Sequence, residues 1–198
     1  MRQEYRDQDV SRRAFLAIVA VAVGGPASIV PRWHLEAGTR QPRAGAGDVV
    51  IAQFSDTGAR EGTVRVPKVV KSDNEWRSQL SPLAFEVARR AGTERPFSGA
   101  YWNLHEKGLF RCVCCDTALF HSAAKFDSGT GWPSFWDVIA KENVVTHPSR
   151  SRFYVESEVT CRRCDAHLGD VFGDGPRPTG LRYCIDSVSL RFAKFTSG

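Results

Sequence analysis

No part of this sequence is apolar for long enough to make a comfortable membrane span. The uncharged segment 14–30 is interrupted by Gly24-Gly25-Pro26, which breaks a helix well short of bilayer thickness. Neither sign of charge dominates, since 27 Lys and Arg against 22 Asp and Glu leave a formal charge of +5. The basic pairs Arg12-Arg13, Arg89-Arg90 and Arg162-Arg163 are scattered rather than gathered into a stripe. The charge therefore reads as solubility, and no nucleic-acid partner is expected. Six cysteines in 198 residues are too few for a disulfide scaffold. There is no internal repeat. A chain that is 42% hydrophobic and 25% charged is neither disordered, collagenous nor coiled-coil. Its length suits one domain with an appendage.

The appendage is N-terminal. Ser11-Arg12-Arg13-Ala14-Phe15-Leu16 sets two arginines before a mildly apolar, Ala- and Val-rich run. It resembles a twin-arginine export signal. Residues 1–35 are thus expected to be a signal or, in the alternative, an uncleaved anchor, and the membrane is met only through them. The expected location is a bacterial periplasm or the cell exterior, where cysteines are metal-bound, paired or deliberately kept reduced. Residues 36–71 read as a linker that runs into short strands at 49–54 and 63–66, around Gly58 and Gly62.

Residues 72–195 read as the folded domain. Ser72 or Asp73 can cap a helix over 74–80, and Ser81-Pro82 opens a second over 83–90 that Gly92 stops. From Tyr101 onward no helical period is present. Short β-type runs lie at 108–111, 138–145, 153–160, 182–186 and 188–195. The expected class is mainly β with a helical pair at its start.

All six cysteines fall in this β region. Cys112-x-x-Cys115 and Cys161-x-x-Cys164 are two knuckles, each able to aim two thiolates at one tetrahedral ion. Together they close the coordination sphere, which is the geometry of a structural zinc. Two disulfides or a redox pair are the competing reading in an oxidising compartment. Cys114 is left over, as an incidental buried thiol or as a resolving cysteine. Cys184 stands alone in Gly180-Leu181-Arg182-Tyr183-Cys184-Ile185-Asp186. Arg182 beside it could lower its pKa and hold a thiolate. Two aromatic segments, Gly129-Thr130-Gly131-Trp132-Pro133-Ser134-Phe135-Trp136 and His167-Leu168-Gly169-Asp170-Val171-Phe172, read as pocket walls. Residue types alone leave the nucleophile reading no better than a buried core thiol.

Longer motifs decide between these readings. Gly92-Thr93-Glu94-Arg95-Pro96-Phe97-Ser98-Gly99, Lys125-Phe126-Asp127-Ser128-Gly129-Thr130-Gly131-Trp132-Pro133-Ser134-Phe135, both knuckles, and the Asp174–Cys184 segment resemble the B-type peptide methionine sulfoxide reductases. The resemblance runs from about 72 to 192. It implies two antiparallel sheets, one structural zinc per chain on Cys112, Cys115, Cys161 and Cys164, and reduction of the R epimer of methionine sulfoxide in oxidised proteins or peptides. It further implies Cys184 as nucleophile with a sulfenic acid intermediate, Trp132 and Phe172 as apolar walls for the substrate methyl group, and His167 and Arg182 as active-site neighbours. A thioredoxin-like thiol is the expected electron donor.

Three departures stand out. Asp170 replaces a histidine usual in the family, and Asp186 replaces an asparagine, so two carboxyls stand near the thiol. Thr130 occupies a place where many members carry a resolving cysteine. Asp170 is expected to act while protonated, with His167 as the fallback donor. A homologue that binds oxidised methionine without turnover is the alternative, and a zinc-ribbon binding module is a weaker one.

Overall fold

The computed structural model describes residues 47–148 and 157–196. The segment expected to be an export signal lies outside the described residues, as do residues 153–156 of one expected strand. Two strands open the described chain, β1 (Asp48–Phe54) and β2 (Arg60–Pro67), paired as an antiparallel hairpin. Two short helices follow, α1 (Asp73–Gln79) and α2 (Pro82–Arg90). Ser72 caps α1 in a reciprocal box with Glu75, and Ser81 caps α2 with Pro82 in its first turn, as both side chains should. α2 ends at Arg90, as expected: Ala91 takes the left-handed cap at φ 56°, and Gly92 N–H closes the turn on the Glu86 carbonyl.

The remaining strands are β3 (Gly108–Cys112), β4 (Ala118–His121), β5 (Lys125–Phe126), β6 (Ser134–Phe135), β7 (Val144–Pro148), β8 (Ser157–Cys161), β9 (His167–Phe172), β10 (Arg182–Ile185) and β11 (Leu190–Lys194). They form two further antiparallel sheets, ordered β11-β3-β4 and β5-β6-β10-β9-β8-β7. The mainly β, two-sheet expectation holds, with the hairpin as a small third sheet. The run expected at 138–145 is strand only from Val144. Before it the backbone turns back, with Ile139 N–H on the Leu119 carbonyl and Asn143 N–H on Ala140.

The core lies between the two larger sheets. Phe120 of β4 stacks on Phe135 of β6 with ring centroids 4.3 Å apart, and Phe110 of β3 meets Phe135 edge-on at 4.9 Å. Val159, Val171, Tyr183 and Ile185 complete the inner face of the six-stranded sheet. Burying each of these large side chains contributes about 2–3 kcal/mol. The hairpin is tied on through Asn143, which is fully buried. Its side-chain amide binds both the N–H and the carbonyl of Ala52, and the carbonyl of Ala118. That satisfies buried backbone groups that would each be costly to leave unpaired. Among the described residues no helix is long and apolar enough to cross a membrane.

Candidate active site and metal centre

The two knuckles are the turns between paired strands. Cys112–Cys115 turns β3 into β4, and Cys161–Cys164 turns β8 into β9. They share one backbone form. Asp116 N–H bonds the Cys112 carbonyl and Asp165 N–H bonds that of Cys161, both at 2.9 Å, with the two aspartates left-handed at φ 63° and 54°. A short polar side chain tolerates that conformation best after glycine. All four sulfurs lie within 4.8 Å of one another. Cys112 and Cys164 approach to 3.6 Å, and Cys115 and Cys161 to 3.5 Å. Tetrahedral zinc–thiolate bonds of about 2.3 Å need sulfurs about 3.8 Å apart. The site fits a structural zinc ion, with no position left open for substrate. Because one knuckle belongs to each large sheet, the ion joins the two sheets at their ends. The helices brace this end: Gln79 donates to the Cys114 carbonyl at 2.8 Å and Arg89 to that of Cys164 at 2.7 Å. Cys114 is buried and stands outside the set of four.

Cys184 sits in the middle of β10, between β6 and β9. Directly opposite residues of antiparallel strands share a face. Cys184 faces Ser134 on one side and Asp170 on the other. Asp170 in turn faces Glu158, and Glu158 faces His147. One row of polar side chains thus crosses the sheet, while Tyr183 and Ile185, alternating with Cys184, point into the core.

His167 joins this face through a defect. In a regular strand, residues three apart lie on opposite faces, so His167 and Asp170 would be separated. The register slips here: Val159 pairs Gly169 but Thr160 pairs His167, leaving Leu168 as an extra residue. The bulge turns His167 onto the face of Thr160 and Glu158, and its Nδ1 lies 3.0 Å from Glu158 Oε1. Gly169 makes this possible. Its φ is 141°, and a Cβ there would stand 2.2 Å from the Cys184 carbonyl oxygen.

The environment of Cys184 differs from expectation. Burial pushes its thiol up, outweighing the lowering by the Thr130 hydroxyl and by Arg182; Asp186 and Asp170 push it further up. Arg182 does lower the thiol, as its position in sequence implies, but burial outweighs it. Its guanidinium is held by Asp174 through two hydrogen bonds of 2.9 and 2.8 Å and lies over the Phe172 ring. Thr130 Oγ1 is 3.9 Å from Cys184 Sγ. It ends a hydroxyl chain from Ser134 through Ser128, with links of 2.7 and 2.8 Å. Burial also pushes the Asp186 carboxyl up to about 6; the Glu94 backbone N–H and His167 oppose the rise, and the Glu94 and Asp170 charges add to it.

Trp132 is half-buried, and its indole N–H donates to the Glu94 carbonyl at 3.1 Å. Phe172 faces Arg182 in the next row, two residues from Asp170. The structure therefore gathers Cys184, Asp170, Asp186 and His167 around one point, with Arg182 and Phe172 on the same face. Three contributors escape a reading of the sequence: Glu158, Glu94 and the Ser128–Thr130 hydroxyls. Glu158 and Thr160 alternate with buried Val159 in a strand, which is a legible signal. The role of Glu94 carries no local signal.

A family model described as SelR domain matches residues 80–194. Among curated proteins, "Peptide methionine sulfoxide reductase MsrB" of Herminiimonas arsenicoxydans is 56% identical over 125 residues, covering 63% of this chain and 91% of the relative. The proteins of the same name from Synechococcus sp. (strain RCC307) and Hahella chejuensis are 53% and 54% identical, covering 63% of this chain and 91% and 90% of theirs. The segment before residue 80, including the β1–β2 hairpin, precedes the SelR match. With its knuckles closed on a zinc site and Cys184 at the centre of a polar row, this chain belongs to the SelR-domain family of B-type peptide methionine sulfoxide reductases.

Proposed function

We propose that this protein reduces methionine-R-sulfoxide in oxidised proteins and peptides to methionine, with Cys184 as nucleophile. The Cys184 thiolate attacks the sulfoxide sulfur, forming a sulfur–sulfur bond as the S–O bond breaks and the oxygen, with two protons, leaves as water. A water then attacks the Cys184 sulfur, breaks the sulfur–sulfur bond and releases the thioether. The products are Cys184 sulfenic acid and the thioether, so the enzyme thiol is oxidised by two electrons and the sulfoxide reduced by two. The substrate methyl group packs on Trp132, with Phe172 beyond it. The developing negative charge on oxygen needs a donor. Asp170 acts as that donor while protonated, with His167 as the fallback, beside the Asp186 carboxyl that burial raises to about 6. Glu158 orients His167 through Nδ1. Zinc is structural and takes no step.

An external thiol completes the cycle. It attacks the sulfenic acid, releasing water and leaving a mixed disulfide; a second thiol then restores Cys184. A thioredoxin-like protein is the donor in this reading. Thr130 supplies no second sulfur, and Cys114 is buried beside the zinc knuckles. The Ser11–Leu16 segment supports export by a twin-arginine route and residence in a periplasm. Replacing Arg12-Arg13 with Lys-Lys should hold the protein in the cytoplasm on cell fractionation.

The observation that carries the reading is the row that places Cys184 between Ser134 and Asp170, beside His167 and Asp186. Turnover of a methionine-R-sulfoxide peptide with dithiothreitol tests it, with the S epimer as control. No turnover of either epimer by zinc-loaded wild type would overturn it.

A further inference from the structure

The segment between α2 and β3 passes under the site, and Glu94 is its buried point, at 2% exposure. Its carboxylate accepts the N–H of Ser187 at 2.7 Å and of Val188 at 3.1 Å, in the turn that directly follows Asp186. Its own N–H donates to Asp186 Oδ1 at 2.9 Å. Its carbonyl receives the Trp132 indole N–H at 3.1 Å. One residue thus holds the turn after the nucleophile, the carboxyl at 186 and the tryptophan wall. Its neighbourhood is closed around it: a Cβ at Gly99 would stand 2.4 Å from Glu94 Oε1 and 2.3 Å from Ser187 Oγ.

We propose that Glu94 is a positioning residue, which sets the distance between Trp132 and the Cys184–Asp186 turn and so the fit of the sulfoxide between them. This rests on the site binding methionine sulfoxide as set out above. Glu94 touches no substrate; it acts through Trp132 and Asp186. A buried carboxylate accepting two backbone N–H groups is a stiff clamp, since charge-assisted bonds are about twice as strong as neutral ones. Glu94→Gln keeps the volume but turns an NH2 group toward one of the two amides, leaving a donor facing a donor.

The groups facing the Asp186 carboxyl are Glu94 from this segment, His167 and Asp170 from β9, and Cys184 from β10. Removing the Glu94 charge eases ionisation of Asp186, because a like charge is withdrawn. A brace with no bearing on the site would leave that ionisation where it is.

The test uses the full chain with zinc content measured for every variant. Binding of a methionine-R-sulfoxide peptide is followed by isothermal titration calorimetry in a Cys184→Ser background, where no turnover occurs. Adding Glu94→Gln is expected to weaken binding roughly tenfold to a hundredfold. Adding Trp132→Phe, which keeps the ring but loses the N–H, should weaken it too. The double variant should lose less than the product of the two, since both break one network. In the Cys184-intact enzyme, Glu94→Gln should shift the pH–rate inflection near 6 downward by about one unit. Should Glu94→Gln fail to bind zinc, Gly99→Ala displaces the carboxylate while leaving its charge. It is expected to weaken binding with the inflection unmoved. Unchanged affinity in the zinc-loaded variant, or strictly multiplicative losses with Trp132→Phe, would overturn the proposal. Intact binding without wild-type turnover would instead sink the reductase reading alone.

Discussion

The protein uses cysteine in two places, and the two are built in opposite ways. At the metal centre each half is local. Two cysteines three residues apart and one left-handed aspartate make a complete knuckle, and the fold only has to bring two knuckles together. At Cys184 almost nothing is local. Its neighbours come from the 128–132 loop, β6, β8, β9 and the segment around Glu94. The metal centre is also the more enclosed, with Cys112, Cys161 and Cys164 at 0–1% exposure and Cys115 alone partly exposed, whereas Cys184 is half-buried. A structural ion needs closure and a reacting thiol needs an approach. The same side chain is therefore written into sequence as spacing in one case and as strand register in the other.

The comparison can be broken most forcefully at the metal. Cys161→Ser should lose zinc and with it the folded domain, because structural zinc contributes on the order of 10 kcal/mol, comparable with the whole stability of a domain. Metal analysis and thermal unfolding read this. Two disulfides among the four cysteines, with no zinc, would refute the site.

Cys184→Ser should do the reverse. Turnover falls to background while zinc content stays full and stability changes by no more than about 1 kcal/mol. Substantial residual turnover would end the assignment of Cys184.

Gly169→Ala tests whether register, rather than composition, makes the active face. The new Cβ would stand 2.2 Å from the Cys184 carbonyl at φ 141°, costing about 3 kcal/mol. The bulge should relax and activity should fall further than in an equally destabilised core variant. Equal losses in the two would count against the bulge.

Asp186→Asn sharpens the contrast through pH. A carboxyl raised from 3.8 to about 6 contributes stability that is complete below pH 3.8 and is lost as pH rises through 6. By pH 8 that loss is about 3 kcal/mol for so buried a group. The asparagine variant should unfold at a higher temperature than wild type at pH 8 and at a similar one at pH 4. If Asp186 carries the proton, wild-type activity should decline as pH rises through 6 and the variant should lack that decline.

The smallest effect is expected at Glu158→Gln. Loss of a charge-assisted bond to His167, partly exposed on the Glu158 side, is worth about 1 kcal/mol. That is roughly a fivefold fall in kcat/KM. An unchanged value would remove Glu158 from the site.

Much of this molecule was legible before any coordinates. The capping serines Ser72 and Ser81, the paired knuckles and the β character after Tyr101 each follow from short-range chemistry that does not depend on distant residues. Asp170 and Asp186 were also visible as carboxyls near a thiol. What sequence did not show at Arg182 was its setting: it lowers the Cys184 thiol as its position implies, but burial outweighs it, and Asp174 holds the guanidinium from across a turn.

By itself, then, the sequence determined whatever is encoded within a few residues, namely helix caps, metal-ligand spacing and strand alternation, because these depend on local dihedrals and side-chain reach. Only the tertiary structure decided which side chains share the face of Cys184. A one-residue slip at Leu168 moves His167 from one face to the other, and no pattern within the segment itself states which register its neighbours take. Glu94 is the extreme case. Its partners are 38 to 94 residues away, and its place under the nucleophile's turn exists only once both sheets and α2 have packed.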